Sequence, residues 1–439
     1  MALFVRMWAI AHVIHLSAAT DGRLDTPWNV ATVVAALVLV LRPHSGGWLV
    51  VLALAQLADL VAEMPTSPDH WMLLAVVNLA ILVTFAWRRS TSPAALAAAF
   101  PAARVVMLVA YTAAALAKYN TTFLEPVTSC ATAIAGAASY GLTDGLGLDP
   151  LFVAAVLLCE SAIPVLLLIP RTRRYGVRLG LGFHFLLSAS PAFAVVDFTA
   201  ALFALFLLFL PTDEVLAVLD RLSGWASRSA IVRDARRVPA ATAALAFVVF
   251  GVLGYLTERG AAAFLLVGSE LYLFIVLLAV VVTWRPRPAA RQFGRVRWVQ
   301  VPVLVLVVLW AASPHLGFRT TGVFTMFSNL RTEGTLANHL FLPSAHLTPW
   351  QTDVVVIEAS NDSDLSDAGS GHLAIPLLEL RRMAEADPDL VVEGTLDGES
   401  VTFGAGPEQT AWEPIEGWGY RFLHFRPVPA DGAAFCGVS

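Results

Sequence analysis

Apolar residues run along this chain in long blocks rather than in alternation. Blocks near the 17–25 residues that cross a bilayer as a helix recur at about 3–19, 28–42, 46–63, 70–87, 100–117, 150–169, 175–190, 192–211, 239–257, 264–284 and 298–312. Read as helices, they give about eleven crossings, with the pair around Arg42 and Gly47 open to being one broken helix. The stretch 119–149 is apolar and rich in small residues, as in Cys130-Ala-Thr-Ala-Ile-Ala-Gly-Ala-Ala-Ser-Tyr140. It reads as a helix lying on the membrane face or as a re-entrant cap. The stretch 212–238 reads as an amphipathic surface helix. After residue 312 the pattern changes to acidic patches, Asp/Gly/Pro turns and short strand-like runs at Asp353–Ile357, Leu390–Gly394 and Arg421–Phe425, with one helix expected over Ile375–Ala386. The expected architecture is an all-α polytopic membrane domain over 1–312 and a small extracytoplasmic domain, α+β or β-rich, over 313–439.

Composition agrees with the pattern. Hydrophobic residues make up 57% and charged residues 14%, and mean hydropathy is +0.71, whereas soluble domains are about a quarter charged. The net charge of −5, with no basic cluster among aromatics, argues against a nucleic-acid partner. The arginines orient the helices. They gather at 88–89, 171–178, 221–237 and 285–297, and the intervening loops are acidic. By the positive-inside rule the N-terminus and these loops are cytoplasmic, and everything after 312 is outside the cell membrane. There is no Cys-x-x-Cys, no His-Glu-x-x-His, no nucleophile elbow and no glycine-rich phosphate loop, so no metal is expected from spacing.

One lysine, Lys118, stands among 28 cationic residues. Genome composition explains the missing lysines but not the position of the one that remains, at the outer end of an apolar helix in Tyr111-Thr-Ala-Ala-Ala-Leu-Ala-Lys118-Tyr119-Asn120. With the topology above, His15, Asp59, His70, Lys118, His184, Asp197 and Glu270 all fall within roughly 10 Å of the outer boundary at 1.5 Å rise per residue. Glu160 lies deeper. Ionisable groups in a membrane usually face a cavity, so this asymmetry predicts one polar cavity opening outward. Each group also has a structural reading. Lys118 can snorkel to headgroups, His184 can be a packed histidine, Glu160 can cap carbonyls freed by Pro164, and Asp197 and Glu270 can be partners of His184 or Arg104. Chemically, a lysine in a dry pocket loses its proton more readily and can then act as a base on a weak acid such as a hydroquinone, with a histidine nearby to relay the proton or bind the oxyanion.

The run Tyr111–Asn120, Glu160-Ser-Ala-Ile-Pro164 followed by Arg171-Thr-Arg-Arg174, and Phe183-His184 resemble the bacterial horizontally transferred transmembrane (HTTM) domain, which is related to vitamin K-dependent gamma-carboxylase. The likeness covers roughly residues 1–340. It implies that Lys118 is the base that deprotonates a reduced quinone, menaquinol or vitamin K hydroquinone. It implies further that His70, in Pro68-Asp-His-Trp71, and His184 assist. Phe324-Thr-Met-Phe-Ser-Asn-Leu-Arg331 is similar to the segment that opens the family's lumenal domain. No tryptophan follows Lys118 as it does in the carboxylases, Ala194-Val-Val-Asp-Phe-Thr199 replaces a family Gly-Met-Phe-Pro-Tyr element, and the tail is shorter. Quinol oxygenation or epoxidation is therefore implied more directly than coupled carboxylation.

The resulting expectation is an enzyme with Lys118, His184 and His70 as catalytic residues and with Glu160, Asp197, Asp59, Glu270, Tyr111 and Asn120 around them. Its partners are membrane lipid and a lipid-soluble substrate. Two alternatives belong to other classes: a proton-coupled transporter, and a non-catalytic scaffold holding the tail for an envelope protein partner. Cys130 and Cys436 both fall outside on this topology, in an oxidising compartment, and are predicted to form a disulfide, while Cys159 in a helix stays reduced.

Overall fold

The computed structural model describes residues 1–19, 24–188, 195–228, 258–283, 293–362, 365, 373–406, 409–415, 417–431, 433–434 and 436. The block expected as a crossing at 239–257 lies outside them, as do residues 229–238 of the expected surface helix.

The apolar blocks become helices. In chain order these are α1 (Ala2–Ala19), α2 (Pro27–Leu41), α3 (Gly46–Glu63), α4 (Asp69–Arg88), α5 (Pro93–Ala117), the short α6 (Thr121–Leu124), α7 (Cys130–Ala138), α8 (Asp149–Leu168), α9 (Arg173–Ser188), α10 (Val196–Leu207), α11 (Thr212–Arg228), α12 (Glu258–Val282) and α13 (Val301–Leu316). Among the described residues, five helices are long and apolar enough to cross a membrane: α3, α4, α5, α8, and Trp298–Leu316, which is α13 with a preceding 3₁₀ turn. Shorter apolar helices, α1, α2, α10 and the Gly268–Val282 part of α12, pack among them. The blocks on either side of Arg42 are two separate helices packed on each other.

Local chemistry sets the helix ends. The Ser92 hydroxyl accepts from Ala95 N–H and Pro93 opens α5, so a free donor and a fixed φ begin the helix where the apolar run does. Thr26 and Pro27 do the same for α2. At the other end of α13, Gly317 takes φ 85°, a left-handed cap that turns the chain into the tail. The loop expected as a surface cap holds α6 and α7, and α7 packs on α8.

The tail folds as a five-stranded antiparallel sheet in the order β4-β3-β1-β2-β5, from β1 (Val354–Ser360), β2 (Leu373–Pro376), β3 (Val392–Leu396), β4 (Glu399–Phe403) and β5 (Val428–Pro429). One helix, α14 (Leu377–Ala386), covers it. Val355 and Ile357 of β1 point inward against Leu380 and Ala384 of that helix. Asp397-Gly398, both at positive φ, form the two-residue turn between β3 and β4 that strand twist favours. Two expectations are corrected. The helix expected from Ile375 starts at Leu377, because Leu373–Pro376 pairs with β1 as an inner strand. The expected strand at Arg421–Phe425 is instead the end of a 3₁₀ turn over Trp418–Phe422, whose following residues dock Leu423 and Phe425 on Leu378.

Candidate functional site

The connection between helices and sheet, residues 317–333, lies across the ends of α4 and α5. Arg319 anchors it: its guanidinium donates to the carbonyls of Pro65, Thr321 and Phe422 and stands over the Trp310 ring. Thr325 N–H donates to Asp69 at 3.1 Å. Asn329 accepts from Cys130 N–H at 2.8 Å and donates to the carbonyls of Thr128 and Ala434. Cys130 and Cys436 are disulfide-bonded, with Cα atoms 5.1 Å apart, so the far end of the chain is tied to α7, while Cys159 is free. Within this strap Phe324, Phe327 and Asn329 adopt φ of 62°, 50° and 52°. Bulky residues in that region cost about 1–2 kcal/mol each, so the surrounding contacts hold a strained backbone.

Beneath the strap is a cavity between α5, α8, α9 and α10. Its open volume is about 70 Å³. At ~10–15 Å³ per water position and ~30 Å³ of liquid per water, this corresponds to contents of ~150–200 Å³, the bulk of a ring headgroup without a long tail. The walls are almost wholly apolar, including Leu73, Met107, Ile134, Phe198 and Leu202, and Phe324, Met326 and Phe327 form its ceiling.

Five polar side chains break the apolar wall: Asp69, and four others that form two pairs. Lys118, at the end of α5 and 4% exposed, places Nζ 2.9 Å from Oε2 of Glu160 on α8. Nζ also donates to Met326 O at 3.1 Å and to Ala114 O at 3.4 Å. Its three hydrogens thus have three acceptors, the arrangement of an ammonium facing a carboxylate. Across the cavity the Tyr111 hydroxyl and His184 Nε2 are 2.8 Å apart. Burying a carboxylate and an ammonium is tolerable because each neutralises the other. The bare snorkelling position is excluded, since the lysine is enclosed rather than facing water.

A third cluster adjoins this wall. Asp197, at the start of α10, receives both His15 of α1 and His70 of α4 on the same oxygen, with Nδ1 of His15 at 2.8 Å and Nε2 of His70 at 2.7 Å from Oδ2. Its other oxygen accepts from Phe198 N–H at 2.7 Å. Phe198 and Asp69, the chain neighbours of Asp197 and His70, line the cavity, so the cluster sits just behind its wall.

Of the expected site residues, Lys118, Glu160, Tyr111 and His184 come together in one cavity. His70 lies behind that wall, on Asp197. The expectation that Asp197 partners His184 or Arg104 is corrected: it partners two histidines, and Arg104 donates to the carbonyls of Leu208 and Phe293. Glu160 serves Lys118 rather than carbonyls near Pro164. Asn120 is structural, capping α6 through Phe123 N–H and bridging to the carbonyls of Ala117 and Ser328. Asp59 lies outside the cavity, accepting from Trp71 Nε1 beside the Asn29 amide, and Glu270 interacts with Ser188. His12 is a packed histidine. Its Nδ1 faces Trp8 O at 2.7 Å and so carries the proton, which leaves Nε2 to accept from Asn78.

No protein-family model, curated protein or solved structure matches this chain.

Proposed function

We propose that this chain is a membrane-embedded enzyme acting on a lipid-soluble hydroquinone, with proton removal by the Lys118–Glu160 pair as its first chemical step. The observation that carries this reading is the placement of that pair and of Tyr111–His184 in one apolar cavity of ring-headgroup size. The topology that goes with it is the one the arginines indicate: about eleven crossings of the cell membrane, N-terminus inside and tail outside. The HTTM and gamma-carboxylase likeness of the sequence points to the same chemistry.

The base is the pair rather than the amine alone. Lys118 passes a proton to Glu160 and takes one from the quinol hydroxyl. The net change is one quinol O–H bond broken and one Glu160 carboxyl O–H bond formed, which leaves a quinolate beside the Lys118 ammonium. The apolar walls strengthen that charge pairing by excluding water. The Tyr111 hydroxyl and His184 ring supply a hydrogen-bonded pair for the second quinol oxygen. The quinolate is then available to react with dioxygen: in epoxidation one oxygen atom enters the ring, the ring is oxidised to the quinone level, and the other oxygen leaves as water with the two quinol protons; coupled carboxylation of a second substrate would draw on the same intermediate.

The test is turnover of added menaquinol by membranes containing Lys118→Arg. Arginine keeps the charge opposite Glu160 but stays protonated in proteins. Loss of about 10²–10⁴-fold is expected for removal of a general base. Unchanged turnover rules out Lys118 as base, and absence of turnover in the wild-type membranes across quinols and dioxygen rules out the enzyme in favour of a scaffold.

A further inference from the structure

The cluster of His15, His70 and Asp197 has a chemistry of its own. We propose that it is a binding site for one divalent transition metal ion, of the zinc or ferrous iron class, ligated by His15 Nδ1, His70 Nε2 and Asp197 Oδ2. The three ligand atoms lie within 4.8 Å of one another and come from three helices, α1, α10 and α4, whose packing fixes their spacing. Two imidazoles and a carboxylate are the donor set of many catalytic zinc sites and of the non-haem iron triad, both of which keep open positions for water or substrate.

The present separations are those of hydrogen bonds, 2.7 and 2.8 Å. Adjacent ligands of an ion with bonds of about 2.1 Å stand about 3 Å apart in an octahedral arrangement. Opening by a few tenths of an ångström reaches this octahedral spacing, and opening by about 0.6–0.7 Å reaches the roughly 3.4 Å spacing of tetrahedral zinc. The orientation is already suitable: each imidazole turns one ring nitrogen to the shared centre, while His15 Nε2 and His70 Nδ1 have no hydrogen-bond partner among the described residues. The hydrogen bonds to Asp197 therefore leave one nitrogen of buried His15 and one of partly exposed His70 unserved among the described residues. His15 is held face to face on Trp71, with ring centroids 4.0 Å apart, which restricts its rotation. The charge balance is also favourable. Asp197 supplies one carboxylate at the centre, which offsets one of the two charges of a dication. Asp69, buried and next to His70 in the chain, has its Oδ1 without a partner among the described residues.

This site is independent of the Lys118 reading, and the experiment separates them. The full-length protein, purified in detergent and stripped with chelator, is titrated with Zn²⁺ and with Co²⁺ as a spectroscopic stand-in. The expected result is one equivalent of zinc per chain by elemental analysis and a cobalt ligand-field spectrum of mixed nitrogen and oxygen ligation. Asp197→Asn and His15→Gln, which keep size and polarity, should each weaken binding by more than about 100-fold, because even outer-shell partners account for 10–100-fold. Lys118→Arg should leave binding unchanged. Less than a tenth of an equivalent in the loaded wild type overturns the proposal, as does stoichiometric binding that survives both ligand substitutions. If a substituted protein fails to fold, carbethoxylation of the wild type decides: zinc should protect two histidines, and equal labelling with and without zinc counts against the site.

Discussion

The Lys118 ammonium and the Glu160 carboxylate stand 2.9 Å apart with both side chains nearly sealed from solvent. Removing one partner leaves the other charged in an apolar cavity. Glu160→Gln is expected to destabilise the protein by about 3–5 kcal/mol. The double replacement Lys118→Met with Glu160→Leu should recover most of that loss, because no charge is then stranded. Thermal unfolding in detergent of Lys118→Met, Glu160→Leu and the double variant gives the coupling directly. Additive losses would show that the pair is not an energetic unit.

Tyr111 and His184 make a different kind of contact, a neutral hydrogen bond of 2.8 Å. Tyr111→Phe should cost about 0.5–1.5 kcal/mol in stability. In the quinol assay it should lower kcat about tenfold with little change in KM, since the ring that packs on Phe206 remains. A change in KM alone would place Tyr111 in binding rather than in the reaction.

Gly180 lies where α9 meets α10. A Cβ at this position would stand 2.1 Å from the buried Phe206 ring, which itself touches Tyr111 and His184. Gly180→Ala should therefore cost about 1–3 kcal/mol through overpacking and displace the cavity wall. Denaturation midpoints measure the first effect, and quinol turnover measures the second.

In the tail, Glu379 accepts from Phe425 N–H and faces His424 and Arg382. Burial pushes its carboxyl upward, but the hydrogen bond and charge of His424 and the charge and hydrogen bond of Arg382 outweigh this and hold it below the usual carboxylate range. A depressed value means the folded state binds its proton less readily than the unfolded state. Its contribution is thus complete above the ordinary glutamate range, near pH 4.3, and is lost as pH falls through the lower folded value. Wild type should lose tail stability below about pH 4.5, and Glu379→Gln should flatten that dependence while lowering stability at neutral pH. Hydrogen exchange of α14 against pH follows both.

The disulfide joins residues separated by 306 positions. Cys436→Ser is expected to cost about 2–5 kcal/mol, and limited proteolysis should then release the end of the tail from α7. Unchanged protease resistance would show that Asn329 and its neighbours hold the tail without the bond.

The helices were legible because a bilayer-length apolar run has few other uses, and Lys118 was legible because its position ran against the arginine pattern. Tyr111 and Glu160 could be singled out as polar groups in apolar runs. Their pairings could not, because a one-dimensional pattern carries depth along a helix but not its rotation or its neighbour. Asp197 shows this most clearly. Its partners His15 and His70 lie on helices far away in the chain, whereas His184, the nearer and more obvious candidate, turns to Tyr111. Asp59 was drawn into the site by depth and Asn120 by its place in the run Tyr111–Asn120; they serve tryptophan binding and helix capping instead. In the tail, Ile375 and Pro376 were read into the helix that follows because the four residues Leu373–Pro376 carry too little alternation to declare a strand.

The ceiling over Lys118 is made by Phe324, Met326 and Phe327, and the strap that carries them is fastened through Asn329 to Ala434 and through Cys436 to α7. During synthesis, then, α5 and α8 are complete long before the residues that cover their polar pair exist. The nascent chain carries an open bowl, its ammonium and carboxylate still reachable by water. Only when the strap and Cys436 have emerged and docked does the bowl become a closed, dry chamber. A chain lacking the strap would keep its charged pair but not the apolar enclosure around it.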